Sequence, residues 1–160
     1  MRINTTTDYA MRIILYLAQQ SRVVPSSEMA NMMSISQRYL LSIAKKLNKH
    51  GYIDVDFGAN GGFSISKAPD KISMYDIIVL MEGTLPVSRC LTKENHCEET
   101  PCILHAGYSF LQNIIECYLR GLTVDLLVGQ PIHTWQKHII DKLCGIFNKQ
   151  QQSGKTLSTG

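Results

Sequence analysis

The stretch SISQRYLLSIAKKLNKHGYIDVDFGANGGFSISKA, residues 34–68, decides the fold of this chain. Its first half predicts a helix that Ser36 caps at its start and that ends at Gly51, behind a basic last turn. Its second half alternates apolar and polar residues on both sides of the glycine-rich turn ANGG, which predicts a β-hairpin. A generic helical bundle has no reason to place a glycine-tipped hairpin directly after a helix. The order therefore favours a winged helix–turn–helix domain.

Helices are predicted on both sides of this stretch. Before it, apolar residues recur at helical spacing over residues 5–19, and a short helix follows that Ser26 or Ser27 can cap. After it, Ser73 can cap another short helix, and a long amphipathic helix begins near Ile103. The predicted fold class is mostly α: a winged helix–turn–helix domain with a β-hairpin wing plus a long dimerisation helix.

The pattern divides the chain into four segments. Long helices with more apolar surface than a small domain can cover usually pair with a second copy, so we expect a homodimer; packing within one chain is the alternative. The segments are a winged helix–turn–helix DNA-binding domain over residues 1–83, a loop with three cysteines over 84–102, dimerisation and C-terminal helices over 103–148, and a disordered tail over 149–160.

The charge distribution points to a phosphate-rich partner. The chain has 16 Lys or Arg against 13 Asp or Glu, a net charge of +3. Residues 1–50 alone hold seven Lys or Arg against two acids, so this third carries more than the whole net charge. A solvated basic face is the alternative. The sequence has no phosphate-binding glycine loop, nucleophile elbow or metal-hydrolase motif, which argues against an enzyme.

The helix–turn–helix predicts which residues meet DNA. Its second helix enters the major groove, where Gln suits adenine and Arg suits guanine, and the wing approaches the neighbouring minor groove. Lysines near the end of that helix can contact phosphates or simply be solvated. We expect a palindromic operator in double-stranded DNA. The residues predicted to contact it are Ser36, Gln37, Arg38, Ser42, Lys45 and Lys46 on the helix, and Phe57, Asn60 and Gly61 on the wing.

Three of the five cysteines lie within CLTKENHCEETPC, residues 90–102, on a polar loop. The sequence shows no pattern of a signal peptide or membrane span, so we expect a cytoplasmic protein. In that reducing compartment an odd number of cysteines argues against a disulfide framework. The spacings C-x6-C and C-x4-C lack the C-x2-C pair typical of structural zinc sites, which favours an iron–sulfur cluster over zinc. A cluster-free thiol switch is the other alternative.

A cluster held by Cys90, Cys97 and Cys102 needs a fourth ligand. His105, one helical turn after Cys102, is one candidate, and Asp8, which could reach across from the partner of a dimer, is the other; His96, beside Cys97, is a weaker alternative. An oxygen or nitrogen ligand would make the cluster more labile than four thiolates would. Such lability suits a sensor of nitric oxide, redox state or iron better than an electron carrier.

Over about residues 1–128 the chain resembles the Rrf2 family of bacterial winged-helix regulators, whose members include iron–sulfur sensors. The matching segments are MRINTTTDYAMRIILYLA, SISQRYLLSIAKKLNKHGYI, GANGGFSISKAP, the three-cysteine loop and TVDLL. The resemblance implies a dimer with the long helix at its interface and a cluster, bound by the three loop cysteines, beside the DNA-reading domain. We expect such a regulator to repress transcription. For the fourth ligand it implies Asp8 or His105, and the longer match of the first helix favours Asp8.

Three features depart from the family pattern. The spacing of the loop cysteines leaves the cluster type open, with a 4Fe-4S cluster favoured and a 2Fe-2S cluster as the alternative. Phe57 stands where the family's wing often has an arginine, which would alter the minor-groove contact. A predicted helix at 132–148 extends beyond the usual end of the resemblance.

Overall fold

The computed structural model describes residues 3–58, 61–92, 102–129, 131, 136–137 and 140–141. Within these ranges lie six α-helices and one two-stranded antiparallel sheet. The elements are α1 (Thr5–Ala18), α2 (Ser26–Met32), α3 (Gln37–Lys49), β1 (Ile53–Asp56), β2 (Gly62–Ile65), α4 (Met74–Glu82), α5 (Ile103–Gly121) and α6 (Val124–Gly129). Three helices followed by a hairpin make a winged helix–turn–helix, so the predicted, mostly α fold class is confirmed.

The core of the winged domain forms where α1 packs against α3 and the hairpin. Buried side chains recur every three or four positions in both helices, because that spacing keeps them on one face. These side chains are Ala10, Ile13, Ile14 and Leu17 in α1, and Leu40, Ile43, Ala44 and Leu47 in α3. The buried stripe of α3 fixes the rotation of this helix and so determines which of its residues face outward.

Local capping chemistry sets where several helices begin. Ser36 caps α3 and Ser73 caps α4, as predicted, and the second of these caps is a reciprocal capping box. The prediction that Ser26 or Ser27 caps α2 is wrong. The helix begins at Ser26 itself, and the preceding residue, Pro25, has no side chain that could accept a hydrogen bond.

The wing is tied to the rest of the domain through Val24. β1 and β2 pair antiparallel with Val55 opposite Phe63, and Val24 exchanges two backbone hydrogen bonds of 2.8 and 2.9 Å with Phe63. Gly62 lies against this bridge, where a Cβ atom would come within 3 Å of the Val24 carbonyl group. Glycine at position 62 therefore lets the two backbones approach each other.

The end of α5 returns to the start of α4. Backbone hydrogen bonds of 2.9 Å join Met74 N to Leu122 O and Val124 N to Ile72 O. A second, smaller apolar cluster also joins the two helices; its buried members are Ile78, Leu85 and Leu119. The C-terminal half of α5 is therefore packed onto the winged domain.

The N-terminal half of α5 presents apolar side chains to solvent. Ile103 is 87% exposed and Leu104 is 63% exposed. The other large apolar side chains exposed on this helix are Tyr108, Phe110, Leu111 and Tyr118. Even so, no helix among the described residues has the length and hydropathy that crossing a membrane requires.

Several predicted features lie outside the described residues. Cys97 and Asn60 are among them, as are the tail at 149–160 and most of the helix predicted at 132–148. Within that last segment, residues 136–137 and 140–141 are helical. The division of the chain into four segments stays a prediction.

Candidate nucleic-acid interface and cysteine loop

The outward face of α3 carries a basic row, which comprises Arg38, Ser42, Lys45 and Lys49. These residues recur every three to four positions on the side away from the buried stripe, and all four are exposed. The helix contains no acidic residue, so the positive charge of the row has no counterpart on α3 itself. Leu41, beside the row, is 44% exposed. Such a row can meet the phosphates that flank a DNA groove.

The start of α3 is held by a hydrogen bond to α2. Gln37 Nε2 donates to Ser26 Oγ at 2.6 Å, and Ser36 Oγ accepts from the backbone N of Tyr39 at 3.3 Å. Both Ser36 and Gln37 are exposed, so the fixed Gln37 side chain keeps its amide oxygen for a base edge. Ser26 is a residue that sequence reasoning missed as part of this face, because its partner lies eleven residues away on another helix.

Two other predicted DNA contacts are engaged within the protein. Ser42 Oγ donates to the carbonyl oxygen of Tyr39 at 2.7 Å, which leaves the lone pairs of the hydroxyl to accept. Lys46 is half-buried, and its Nζ donates to the carbonyl oxygen of Met81 at 3.2 Å. Lys46 therefore lies on the flank of α3 that faces α4, whereas Lys45 is exposed in the basic row.

The wing presents an exposed aromatic ring beside a tight turn. Phe57, directly after β1, is 93% exposed. Gly58 has a φ of +121°, and Gly61 N donates to Gly58 O at 3.0 Å. A Cβ atom on Gly61 would come within 3 Å of the Asp56 carbonyl oxygen, so this position also needs glycine. The turn leaves the Phe57 ring free for a groove contact, and an apolar ring can wedge between base steps in a minor groove.

Tyr39 connects α3 to the first turns of α1. Its hydroxyl lies 2.9 Å from Thr6 Oγ1, and its ring meets the Tyr9 ring edge-on, with centroids 5.9 Å apart. Asp8 lies between these two α1 residues in sequence, is exposed, and accepts a hydrogen bond of 2.8 Å from Arg12 Nε. This hydrogen bond raises the pKa of Arg12. Asp8 is thus an exposed carboxylate on the part of α1 that contacts α3.

Two loop cysteines lie at the ends of the segment that the structure describes. Cys90 is half-buried in a 3₁₀ turn, Arg89–Leu91, whose start Ser88 caps. Cys102 is half-buried at the N-cap position of α5. His105, in the first turn of α5, is exposed. Thiolates are the ligands that iron–sulfur clusters prefer, so the chemistry of these donors fits such a cluster.

The candidate ligands do not form a complete site within the described part of one chain. Across residues 3–58, 61–92 and 102–129, no three His, Cys, Asp or Glu side chains come together as a metal site requires. Asp8, Cys90, Cys102 and His105 therefore do not meet as three or more there. Cys97 lies outside the described residues.

Comparison with known proteins identifies relatives over most of the chain. The sequence profile of the Rrf2 family, described as an iron-dependent transcriptional regulator, matches residues 3–130. The HTH-type transcriptional regulator NsrR of Bacillus licheniformis is 32% identical over 126 residues, which cover 74% of this chain and 88% of the relative.

Two solved structures share the fold. Oxidised CymR of Staphylococcus aureus is 22% identical and superposes with a TM-score of 0.66. The superposition covers 82% of this chain and 98% of that structure. IscR of T. potens is 21% identical and superposes with a TM-score of 0.63. The superposition covers 80% of this chain and 86% of that structure. Both are winged-helix structures of similar extent, which agrees with the architecture described above.

Proposed function

The chain belongs to the Rrf2 family of helix–turn–helix transcriptional regulators, and we propose that it is a repressor whose affinity for a palindromic operator depends on an iron–sulfur cluster. Family membership makes the protein a DNA-binding regulator of transcription rather than an enzyme. The cluster, the dimer, the individual contacts and the sense of regulation are the proposed part.

The basic row is the observation that supports α3 as the DNA-reading face. Arg38 suits the paired acceptors of a guanine, and Lys45 and Lys49 suit backbone phosphates. Because only one N–H of the Gln37 amide donates to Ser26, its second N–H and its amide oxygen remain for a base edge, such as that of adenine. Ser42 can accept in the same groove. The wing, through Phe57, Asn60 and Gly61, would contact the neighbouring minor groove.

The exposed apolar face of α5 supports a homodimer. Side chains as exposed as Ile103 and Leu104 leave a hydrophobic surface in water, and a second copy of the same face would bury both surfaces. Dimeric helix–turn–helix proteins read two half-sites about one turn of DNA apart. We therefore assign 84–102 to cluster binding and 103–148 to dimerisation and the C-terminal helices, after a DNA-binding domain at 1–83.

We assign Cys90, Cys97 and Cys102 as the cysteine ligands of the cluster, with a 4Fe-4S cluster favoured over 2Fe-2S. The fourth ligand in this proposal is Asp8 of the second copy, and His105 is the alternative. The exposure of Asp8 supports this choice, because its carboxylate is accessible to another chain. Its position on the part of α1 that contacts α3 would link the site to the DNA-reading helix.

Contacts within the chain would couple the state of the cluster to operator affinity. A bound cluster supplies iron atoms with which nitric oxide or oxygen reacts. Val87 N donates to Gln112 Oε1 at 2.9 Å, which anchors the Cys90 end of the loop to α5, and Cys102 begins that same helix. Loss of the cluster would release Cys90, Cys97 and Cys102 and remove the contact that Asp8 of the second copy makes with the site. The spacing of the two α3 helices would then no longer be fixed, and operator affinity would fall.

An absorption spectrum with iron and sulfide analysis, on protein purified without oxygen, tests the cluster. We expect a brown protein whose visible bands bleach under nitric oxide. Cys97→Ala should lose the iron, whereas Cys117→Ala, a matched control at an exposed cysteine of α5, should keep it. A colourless, iron-free wild type that still binds DNA after attempted reconstitution would contradict the cluster. It would favour a thiol switch, or zinc if metal analysis finds zinc.

A paired set of variants tests the fourth ligand. Asp8→Ala should alter the visible spectrum and speed the loss of the cluster in air, whereas His105→Ala should do neither. Arg12→Gln is the matched control, because it removes the same 2.8 Å ion pair but retains the carboxylate. Equal effects of Asp8→Ala and Arg12→Gln would show that Asp8 acts through its ion pair and not as a ligand.

A further inference from the structure

Lys46 lies where three parts of the molecule meet, at the C-terminal end of α4. Its Nζ donates to the carbonyl oxygen of Met81, in the last turn of α4, at 3.2 Å. At the next residue, Glu82 Oε1 accepts a 3.0 Å hydrogen bond from the backbone N of Asn4, and Asn4 caps α1. These four residues form what we call the α4 junction. The junction connects α3 and α1 through a single helix end.

The chemistry of a helix end explains why a lysine is held there. The last carbonyl groups of a helix have no partner within it, and they carry the negative end of the helix dipole. α4 has no basic residue in its own last turn, so Lys46 supplies a donor and a positive charge from a neighbouring helix. To reach a DNA phosphate, Lys46 would have to give up this half-buried hydrogen bond. Lys45 is exposed and faces no such cost.

The α4 junction is also continuous with the cysteine loop. Gly83 follows Glu82 directly, adopts a φ of +87°, and donates its N–H to Val79 O at 2.9 Å. The chain then passes through the buried Leu85 and the Val87 anchor to Cys90. The loop is therefore joined to the turn of α4 that holds Lys46 by a short described segment, residues 83–89.

We propose that Lys46 is a positioning residue rather than a phosphate contact: it ties α3 to the end of α4 and transmits the state of the cysteine loop to the basic row. The transmission rests on the proposed function, because it requires a cluster-dependent change in the loop. The positioning role does not, because it follows from the Lys46–Met81 hydrogen bond and the burial of Lys46.

The salt dependence of DNA binding separates the two roles. Lys46→Met and Lys45→Met remove the same charge from adjacent positions and keep an unbranched side chain. The affinity of each variant for a mixed-sequence DNA duplex is measured across a series of salt concentrations. Affinity falls as salt rises, and each lost phosphate contact lowers the magnitude of the slope of log affinity against log salt by about 0.9. We expect this decrease for Lys45→Met and an unchanged slope for Lys46→Met; an equal decrease for both would overturn the positioning role.

A second readout tests the transmission. The probe is a duplex selected from a random-sequence library by the cluster-loaded wild type, and the measured quantity is the ratio of its affinities with and without the cluster. Lys45→Met should lower the affinity in both states and leave the ratio at its wild-type value. Lys46→Met should bring the ratio towards one, and Lys46→Arg, which keeps a cation that can reach the carbonyl oxygen, should restore it. A wild-type ratio in Lys46→Met would overturn the transmission.

Failure of the proposed function gives a different result from failure of this inference. If the wild type itself shows a ratio of one, the proposed cluster control and the transmission both fall, whereas the salt slopes still decide the positioning role. Thermal unfolding shows whether each variant is folded. If Lys46→Met does not fold, Lys46→Gln replaces it, because glutamine removes the charge but keeps a donor, and the same unchanged slope is expected.

Discussion

The winged domain and α5 differ in where their apolar side chains lie. In α1 and α3 the apolar stripe is buried within the same chain, with Ile43 only 1% exposed. In α5 the stripe is divided: Leu119 is buried against α4, but Ile103 near the other end is 87% exposed. The winged domain thus completes its own core, whereas α5 leaves a surface that a second copy would complete.

Matched isoleucine substitutions should show this difference most strongly. Ile43→Ala removes a buried side chain, so we expect the free energy of unfolding to fall by about 2–5 kcal/mol. Ile103→Ala removes an exposed one, so any loss should appear only at protein concentrations where the wild type is dimeric. Urea denaturation at several protein concentrations measures both. Equal losses at every concentration would contradict the assignment of Ile103 to an interface between chains.

A charge placed on the exposed face of α5 should dissociate the proposed dimer. Leu104→Glu would bury a carboxylate at the proposed interface, so we expect sedimentation to show a monomer under conditions where the wild type is a dimer. Asn113→Glu is the matched control, because Asn113 is exposed about two and a half turns along the same helix, on the side opposite Leu104. Dissociation by both variants, or by neither, would contradict this placement of the interface.

Two glycine substitutions should change stability in opposite directions. Gly62→Ala in the wing places a Cβ atom against the Val24 carbonyl group, so we expect a loss of about 1–3 kcal/mol. Gly107→Ala in α5 meets nothing within 4 Å and improves helix propensity, so we expect a gain of up to about 1 kcal/mol in the monomer. Thermal unfolding of each variant measures these changes. A stable Gly62→Ala variant would contradict the close approach of β2 to Val24.

The smallest predicted effect concerns the pH dependence of the winged domain. A hydrogen bond from Arg22 at 2.6 Å, and then one from Tyr16 at 2.7 Å, lower the pKa of Glu28. A carboxyl group whose pKa is lowered by folding stabilises the folded state at pH values above its ordinary, unfolded-state pKa. That stabilisation is lost as the pH falls through the lowered pKa of the folded state. Glu28→Gln should therefore lower the Tm slightly at neutral pH and converge with the wild type in acid. A constant difference across this range would contradict a role for the Glu28 charge.

Sequence patterns predicted the parts of the fold that local chemistry determines. The buried stripe of α3, the Ser36 and Ser73 caps and the glycine-tipped hairpin all follow from short-range spacing, and the structure contains each of them. The α2 cap was predicted wrongly, because Pro25 ends the extended segment one residue earlier than the serines suggest.

Long-range contacts could not be predicted in the same way. Lys45 and Lys46 are adjacent and chemically identical in sequence, and only the position of the end of α4 beside Lys46 separates an exposed lysine from one bonded to Met81. The Gln37–Ser26 hydrogen bond likewise depends on how two helices pack. The proposed cluster site has a further requirement. It draws on Cys97, which lies outside the described residues, and on a second chain.

Operator affinity, measured on one oxygen-free sample before and after nitric oxide, tests the central proposal most directly. The duplex is the one selected by the cluster-loaded protein, and the visible spectrum is recorded on the same sample. We predict that bleaching of the spectrum and loss of affinity occur together, with a decrease of about 5- to 150-fold, as is typical of coupled sites. A bleached spectrum with unchanged affinity would contradict control of DNA binding by the cluster.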